Sequence, residues 1–295
     1  MVGANGFVGQ QLIRRLVADG HEVRAVVRSS LTDAPAGVQG VIGDVDDPTS
    51  LAPALDDADA AYYLVHSMAA GPAFREMDRE LATKFGLACS AAGVGRIVYL
   101  GALGEDPGSE HLASRQEVGE ALAAAGTPLV ELRAAVVLGA GSVSFEMLRY
   151  LTERLPFMVC PRWVATRIQP IGVDQLLDAL VASLEVAPGT HELGGPEVTT
   201  YRAMIEAYAR VRGLRRRLIV DIPLLTPRLS SYWVDLVTPV DRKVSHALIE
   251  SLTTEVVVRT PPDPSLVSGD GGVDDAIARA LERQEHDIVL SLIHI

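Results

Sequence analysis

Met1-Val2-Gly3-Ala4-Asn5-Gly6-Phe7-Val8-Gly9 opens the chain, a G-x-x-G-x-x-G stretch that runs straight into an amphipathic helix. Glycines at this spacing let a backbone turn tightly and approach a diphosphate, and the helix N-terminus then offers it free N–H groups. The stretch points to a nucleotide cofactor. Such a loop is expected to follow a β-strand. Only Met1 and Val2 precede it, so the first strand is expected to be cut short. Its two parallel neighbours would then expose unpaired edges, which predicts an insoluble or unstable chain.

Downstream, apolar runs at Val23–Val27, Val38–Ile42, Ala60–Val65, Arg96–Leu100 and Leu129–Leu138 read as strands. Helical patterns at 7–19, 47–55, 74–92 and 111–125 separate them. This alternation implies βαβ crossovers and a doubly wound α/β fold, with a parallel sheet covered on both faces. Helices are further expected at 145–155, 174–184 and 201–211, with an extended piece at 168–173. From about residue 186 the texture changes to Gly- and Pro-rich loops, the basic knot Arg212 to Arg217, and an apolar stretch, Leu218 to Val240, that holds Tyr232 and Trp233. The expected organisation is a dinucleotide-binding domain over 1–185, a small C-terminal substrate or lid lobe over 186–262, and a linker, helix and tail over 263–295. Within the last segment a helix is expected at 273–284. The apolar end, 288–295, reads as the first strand of a further domain or as foreign sequence.

The 295 residues are 48% hydrophobic and 22% charged, with a net charge of −12. So acidic a chain is a poor partner for a phosphate backbone, and nucleic acid is not expected. Cys89 and Cys160 lack metal or disulfide spacing, which fits a reducing cytosol and gives no metal site. No signal peptide is read, and no apolar run approaches the roughly 20 residues that cross a bilayer. The 218–240 stretch beside its basic knot leaves peripheral membrane contact, partner docking or a greasy lid as its readings.

Taken together, Gly3-x-x-Gly6-x-x-Gly9, Gly43-Asp44, Tyr63-Leu64-Val65-His66-Ser67, Ile97-Val98-Tyr99-Leu100-Gly101 and Leu132-Arg133-Ala134 fall in an order that resembles the short-chain dehydrogenase/reductases. The chain is most similar to their atypical branch, the NmrA-like and complex I accessory-subunit-like NAD(P)H-binding proteins. The resemblance implies a Rossmann-type fold whose cofactor touches Gly3, Asn5, Gly6, Phe7, Val8, Gly9, Arg28, Asp44, Val45, Leu64, Val65, His66 and Arg115. An acid after the second strand would bind a ribose 2′-hydroxyl, whereas an arginine accommodates a 2′-phosphate. Arg28-Ser29-Ser30 therefore favours NADP, with NAD as the alternative. Asp44 is alternatively a helix-entry acid. Arg133, Gln169-Pro170-Ile171 and Gly194-Gly195-Pro196 match family loops and read as scaffold.

The resembled family uses a Tyr-x-x-x-Lys pair and a serine on the neighbouring strand end. Here His111 and Arg115 take the pair's places, one helical turn apart, and Gly101-Ala102-Leu103 offers no hydroxyl. His111 as proton donor and Arg115 as ribose holder are the catalytic candidates. Two functions follow. One is an NADP-dependent oxidoreductase acting on a carbonyl or quinone-like substrate. The other is a catalytically silent dinucleotide-binding redox sensor or assembly module. A nucleotide-sugar epimerase needs the missing tyrosine and lysine and ranks lower.

Overall fold

The computed structural model describes residues 1–32, 34–66, 74–104, 109–221 and 252–293. Helix α1 (Phe7–Ala18) forms where Leu12, Ile13 and Leu16 recur at helical spacing and bury one face; Gly20, at φ +88°, lies just past its end. Then follow β1 (Arg24–Val27), β2 (Gln39–Ile42), a 3-10 turn leading into α2 (Ala52–Leu55), β3 (Ala60–Tyr63) and α3 (Phe74–Ala91). Next come β4 (Arg96–Ala102), α4 (Glu110–Ala124), β5 (Leu129–Ala134), β6 (Val137–Leu138), α5 (Val143–Arg154) and β7 (Phe157–Cys160). The described chain continues through β8 (Arg167–Ile168), β9 (Ile171–Gly172), α6 (Val173–Ala182) and β10 (Gly189–Leu193). It closes with β11 (Thr199–Thr200), α7 (Tyr201–Val211), β12 (Leu218–Asp221) and α8 (Val273–Ile293).

The central sheet is parallel throughout. β1 pairs with β2, and β3, β4, β5 and β10 lie side by side in that order. Met1 and Val2 sit between the two groups. Val26 N–H donates to Met1 O at 2.9 Å, Val2 N–H to Tyr62 O at 3.0 Å, and Leu64 N–H to Val2 O at 3.3 Å. The slot for which the sequence predicts bare edges is thus filled, over two residues, by a backbone that bonds to both neighbours.

Strand parity sorts the core. Tyr62, Val98 and Leu132 face α1 and α6, while Tyr63, Ile97 and Tyr99 face α3 and α4. Tyr62 Oη crosses its layer to donate to Leu180 O on α6 at 2.8 Å. A third apolar cluster joins Phe145 and Leu148 of α5, Met204, Ile205 and Tyr208 of α7, and Ile277 and Ala280 of α8. This cluster lies beyond the sheet and forms one wall of the cleft described below.

Some expectations need correction. The fifth strand does not run to Leu138. It ends at Ala134: Ala135 N–H makes the last bond to β10 at Leu193 O (3.0 Å), and Ile171 N–H then takes Val136 O (2.9 Å), so that β6 pairs with β9 instead. Both pieces are buried, and hydropathy does not register the break. Residues 288–293 are helix, not strand: α8 is seated by Val273, Ile277, Ala280 and Leu281, and no Gly or Pro follows to stop its propagation. Asp47, not Asp44, caps the turn at Pro48–Leu51, accepting from Thr49 N–H at 3.1 Å.

The basic knot is partly spent on tethering. Arg212 pairs with Glu285 (2.8 Å), and Arg217 Nε donates to Thr152 O (2.7 Å). Of the apolar stretch after it, Leu218–Asp221 forms β12 against β7, and the remainder, with Tyr232 and Trp233, lies outside the described residues. No helix among the described residues is long and apolar enough to cross a membrane.

Gln169 joins the segments that border the third cluster. Its Nε2 donates to Gly195 O at 2.7 Å and its Oε1 accepts from Val258 N–H at 3.0 Å. Gln169→Ala strands both partners and is expected to cost about 1–3 kcal/mol. The check is equilibrium urea unfolding against the wild type; an unchanged midpoint would contradict this role.

Candidate functional site

The glycine loop is compressed against the end of β3. Gly3 sits at φ +79°, and a Cβ there would lie 2.6 Å from Leu64 O. A Cβ on Gly9 would collide with Gly3 O. Neither position admits a side chain, so α1 begins hard against the loop. The α1 N-terminus has no side-chain cap and no acid in its first turn, which leaves its N–H groups for an anionic ligand. Asn5 fastens the loop to the turn after β1: its Nδ2 donates to Ser30 O (2.9 Å), and Thr32 N–H donates to its Oδ1 (3.2 Å). Arg28, exposed at the end of β1, pairs with no carboxylate among the described residues. These features fit a dinucleotide: a close backbone cradle, free helix-end donors and a cation by the expected ribose position.

A cleft of about 450 Å³ opens from this loop across the carboxyl ends of β3, β4 and β5. Gly3, Gly6, Phe7, Val8, Gly9, Leu64, His66, His111 and Arg115 all line it. The residues named from sequence on three separate elements are therefore brought to one site. Asn5, Arg28 and Asp44 stand outside this chamber, on the α1–β1–β2 side. Asp44 Oδ1 accepts from Asp46 N–H at 3.0 Å. Val45 is buried in the α3-side core, and Val65 packs against that core. Ser67 lies outside the described residues.

Helix α4 positions its pair precisely enough to be read from backbone bonds. Ser109 caps it, accepting from Leu112 N–H at 3.3 Å, and His111 and Arg115 follow on one face. Tyr99 Oη donates to Arg115 O at 3.0 Å, tying that turn to β4. Solvent reaches His66 through the mouth of the cleft, yet the ring is set deep enough that lost hydration dominates. Desolvation first, then the Arg115 charge, lowers its pKa to about 4. Desolvation, Arg115 and His66 together push His111 down to about 3. Both imidazoles are neutral at pH 7. Arg133, by contrast, is structural: its Nε donates to the buried Glu131 at 3.0 Å, which also accepts from Thr190 Oγ1 at 3.0 Å.

The far wall was not legible from sequence motifs. It comprises Ser142–Ser144 at the start of α5, then Met147, Leu148, Leu151, Trp163, Tyr201, Met204, Ile205, Leu252 and Val256. Trp163 stands edge-on to Tyr201, with ring centroids 5.8 Å apart. One signal was available: Gly141-Ser142 before an apolar helical run marks an N-cap, and Ser142 Oγ does accept from Phe145 N–H at 3.1 Å.

The neutral imidazoles set a pH dependence. Each folded pKa lies below the unfolded value of about 6.5, so between them the unfolded chain binds more protons. Stability contributed above about pH 6.5 is expected to fall as pH drops toward 4. Imidazole NMR resonances of His66 and His111 are expected to stay unshifted from pH 8 to 5; a midpoint near 6.5 at both would refute the assignment.

The comparisons with known proteins agree with this geometry. Residues 3–137 match the family described as NAD(P)H-binding. A 2-alkyl-3-oxoalkanoate reductase of Stenotrophomonas maltophilia (strain K279a) is 36% identical over 106 residues, which span 34% of this chain and 31% of that relative. Triphenylmethane reductase of Citrobacter sp., solved with NADP(H), superposes with a TM-score of 0.73 at 19% identity, covering 95% of this chain and 98% of that one. A Bordetella bronchiseptica enzyme in complex with NAD+ gives 0.70 at 16% identity, covering 96% and 97%. A Staphylococcus aureus nucleoside-diphosphate-sugar epimerase gives 0.70 at 13% identity, covering 94% and 98%. At such identities the solved structures speak for the fold. Residues 3–137 are thus similar to the NAD(P)H-binding family, and the chain has the Rossmann-like fold of these reductase and epimerase structures.

Proposed function

We propose that the chain is an NADP-preferring oxidoreductase acting on an apolar carbonyl or quinone-like substrate, and that it works in the cytoplasm. One observation carries the reading. A single cleft joins the glycine loop to a chamber walled by apolar side chains, with His66, His111 and Arg115 at the junction. The name of the Stenotrophomonas relative, a reductase, agrees. In this reading residues 1–185 hold the dinucleotide, 186–262 cover the substrate, and 263–295 return a helix to the α7 side.

The diphosphate rests over Gly3, Gly6 and Gly9 at the N-terminus of α1, and Arg28 answers the 2′-phosphate. NADPH would supply, when bound, a hydride from C4 of its nicotinamide to the carbonyl carbon, and the oxygen would then take its proton from solvent at the cleft mouth, where His66 is exposed. His111 is neutral, so it serves that oxygen as an N–H hydrogen-bond donor, as neutral imidazoles do elsewhere, rather than as an imidazolium acid. The apolar walls exclude water from the transfer. The second reading, a silent dinucleotide-binding module, is favoured by one feature: Gly101-Ala102-Leu103, His111 and Arg115 stand where the resembled family keeps serine, tyrosine and lysine.

Fluorescence titration separates these cofactor assignments. Gly9→Val is expected to abolish binding of NADPH and NADH alike, because its side chain meets the loop backbone. Arg28→Ala is expected to weaken NADPH about tenfold and leave NADH unchanged, the size of one charge-assisted hydrogen bond. Equal loss for both cofactors would contradict the NADP assignment. NADPH oxidation is then followed with quinones and aldehydes. A rate that falls in His111→Ala supports the oxidoreductase, whereas tight binding with no turnover supports the silent module.

A further inference from the structure

Arg115 brings to the cleft a charge that no described group of this chain balances. Its guanidinium lines the cleft, yet no carboxylate or carbonyl among the described residues pairs with it. The position is not slack, since Tyr99 Oη holds its carbonyl at 3.0 Å. The neighbouring Ser114 hydroxyl donates to Asp78 at 3.1 Å. Asp78 is a buried carboxylate on α3, 2% exposed, but it forms no ion pair with Arg115. Arg115's neighbours in the cleft, His66 and His111, are uncharged and bring only neutral polarity. Beyond them the wall turns apolar, through Leu112, Met147, Leu148, Met204 and Val256.

A guanidinium does not deprotonate, so it cannot relieve its own desolvation as a lysine would. A half-buried cation left unpaired beside apolar walls costs free energy until an anion reaches it. The cofactor's diphosphate belongs at the α1 N-terminus, and a ribose hydroxyl is neutral and leaves the charge uncompensated. A carboxylate matches the planar fork, with two parallel N–H···O bonds. His111 lies one helical turn before Arg115, so a carbonyl oxygen bonded to the imidazole sits close to a carboxylate bonded to the guanidinium.

We propose that Arg115 determines substrate specificity: the cleft takes an amphiphilic keto acid, its carboxylate held by Arg115, its carbonyl by His111 and its apolar body by the α5–α7 wall. This rests on the oxidoreductase reading above and replaces the ribose role that the family resemblance implies for Arg115.

The test uses the full chain with NADPH, and the probes are α-ketooctanoate and its methyl ester. The wild type is expected to favour the acid by at least about tenfold in kcat/KM, within the range of a charge-assisted pair. Arg115→Met is expected to raise KM for the acid by about 10- to 100-fold and to leave the ester within about threefold. Arg115→Lys is expected to restore part of the preference, as a point charge without the fork. NADPH affinity, read by fluorescence, should be unchanged in both variants, which also reports their folding. Equal losses on acid and ester, or loss of NADPH affinity with the arginine, would overturn the proposal. Calorimetric titration of octanoate into the NADPH-loaded protein reads the site without turnover. Arg115-dependent octanoate binding with no reduction of either probe keeps the anion site and removes the oxidoreductase reading. Absence of both octanoate binding and acid preference removes the proposal alone.

Discussion

Close backbone contact between the glycine loop and the end of β3 sets the rest of the molecule. Val2 bonds to Tyr62 and Leu64 on one side, while Met1 bonds to Val26 on the other, and Gly3 follows directly against the Leu64 carbonyl. With that contact made, α1 has one place to start, because Gly9 must lie against Gly3 O without a side chain between them. The helix N-terminus, the end of β3 and the mouth of the cleft are therefore fixed by a few residues. Any Cβ inserted at Gly3 or Gly9 would move all three together.

The polar junction of the cleft is assembled by parity and periodicity. Tyr63 and Tyr99 alternate to the α3–α4 face, where they pack edge-to-face with centroids 6.0 Å apart. Tyr99 then spends its hydroxyl on the α4 backbone. This aromatic layer sits beneath the turn that presents Arg115, and the i, i+4 relation adds His111 to the same face. Gly119, further along α4, makes room for the Glu131 carboxylate, since a Cβ there would lie 2.7 Å from Oε1. The helix can thus lie close to the sheet, and its first turns reach the cleft.

Local patterns announced what local physics controls. The glycine spacing, the strand–helix alternation to β5, and the pairing of His111 with Arg115 were all readable, because each depends on residues within one or two turns of each other. The far wall was not. Met147, Trp163, Tyr201 and Val256 come from distant parts of the chain, and only tertiary packing joins them in the third cluster and the cleft. The end of β5 was misjudged for a related reason: Val136 and Val137 look like more strand, and only the competing partner Ile171 shows where they go. The apolar tail suggested the first strand of a further domain or foreign sequence, but a helix already seated on Ile277 and Ala280 continues through Ile293.

The apolar walls give the cleft two properties at once. Poor solvation keeps an imidazole neutral, since its charged form loses more hydration than its neutral form, and the nearby guanidinium adds to the same bias. The same poor solvation strengthens the attraction of that guanidinium for an incoming anion. One cause therefore withdraws proton donation by imidazolium and supplies electrostatic binding in its place. A tyrosine and lysine pair works by lowering the tyrosine pKa, and so depends on a proton passing between the tyrosine hydroxyl and the substrate. His111 and Arg115 have no such dependence: one is neutral and the other fixed in charge across the working pH range. In the proposed reading, reduction in this cleft would rest on placement of the substrate, with its carboxylate held by a permanent positive charge, and on N–H donation from a neutral ring to the oxygen that gains electrons.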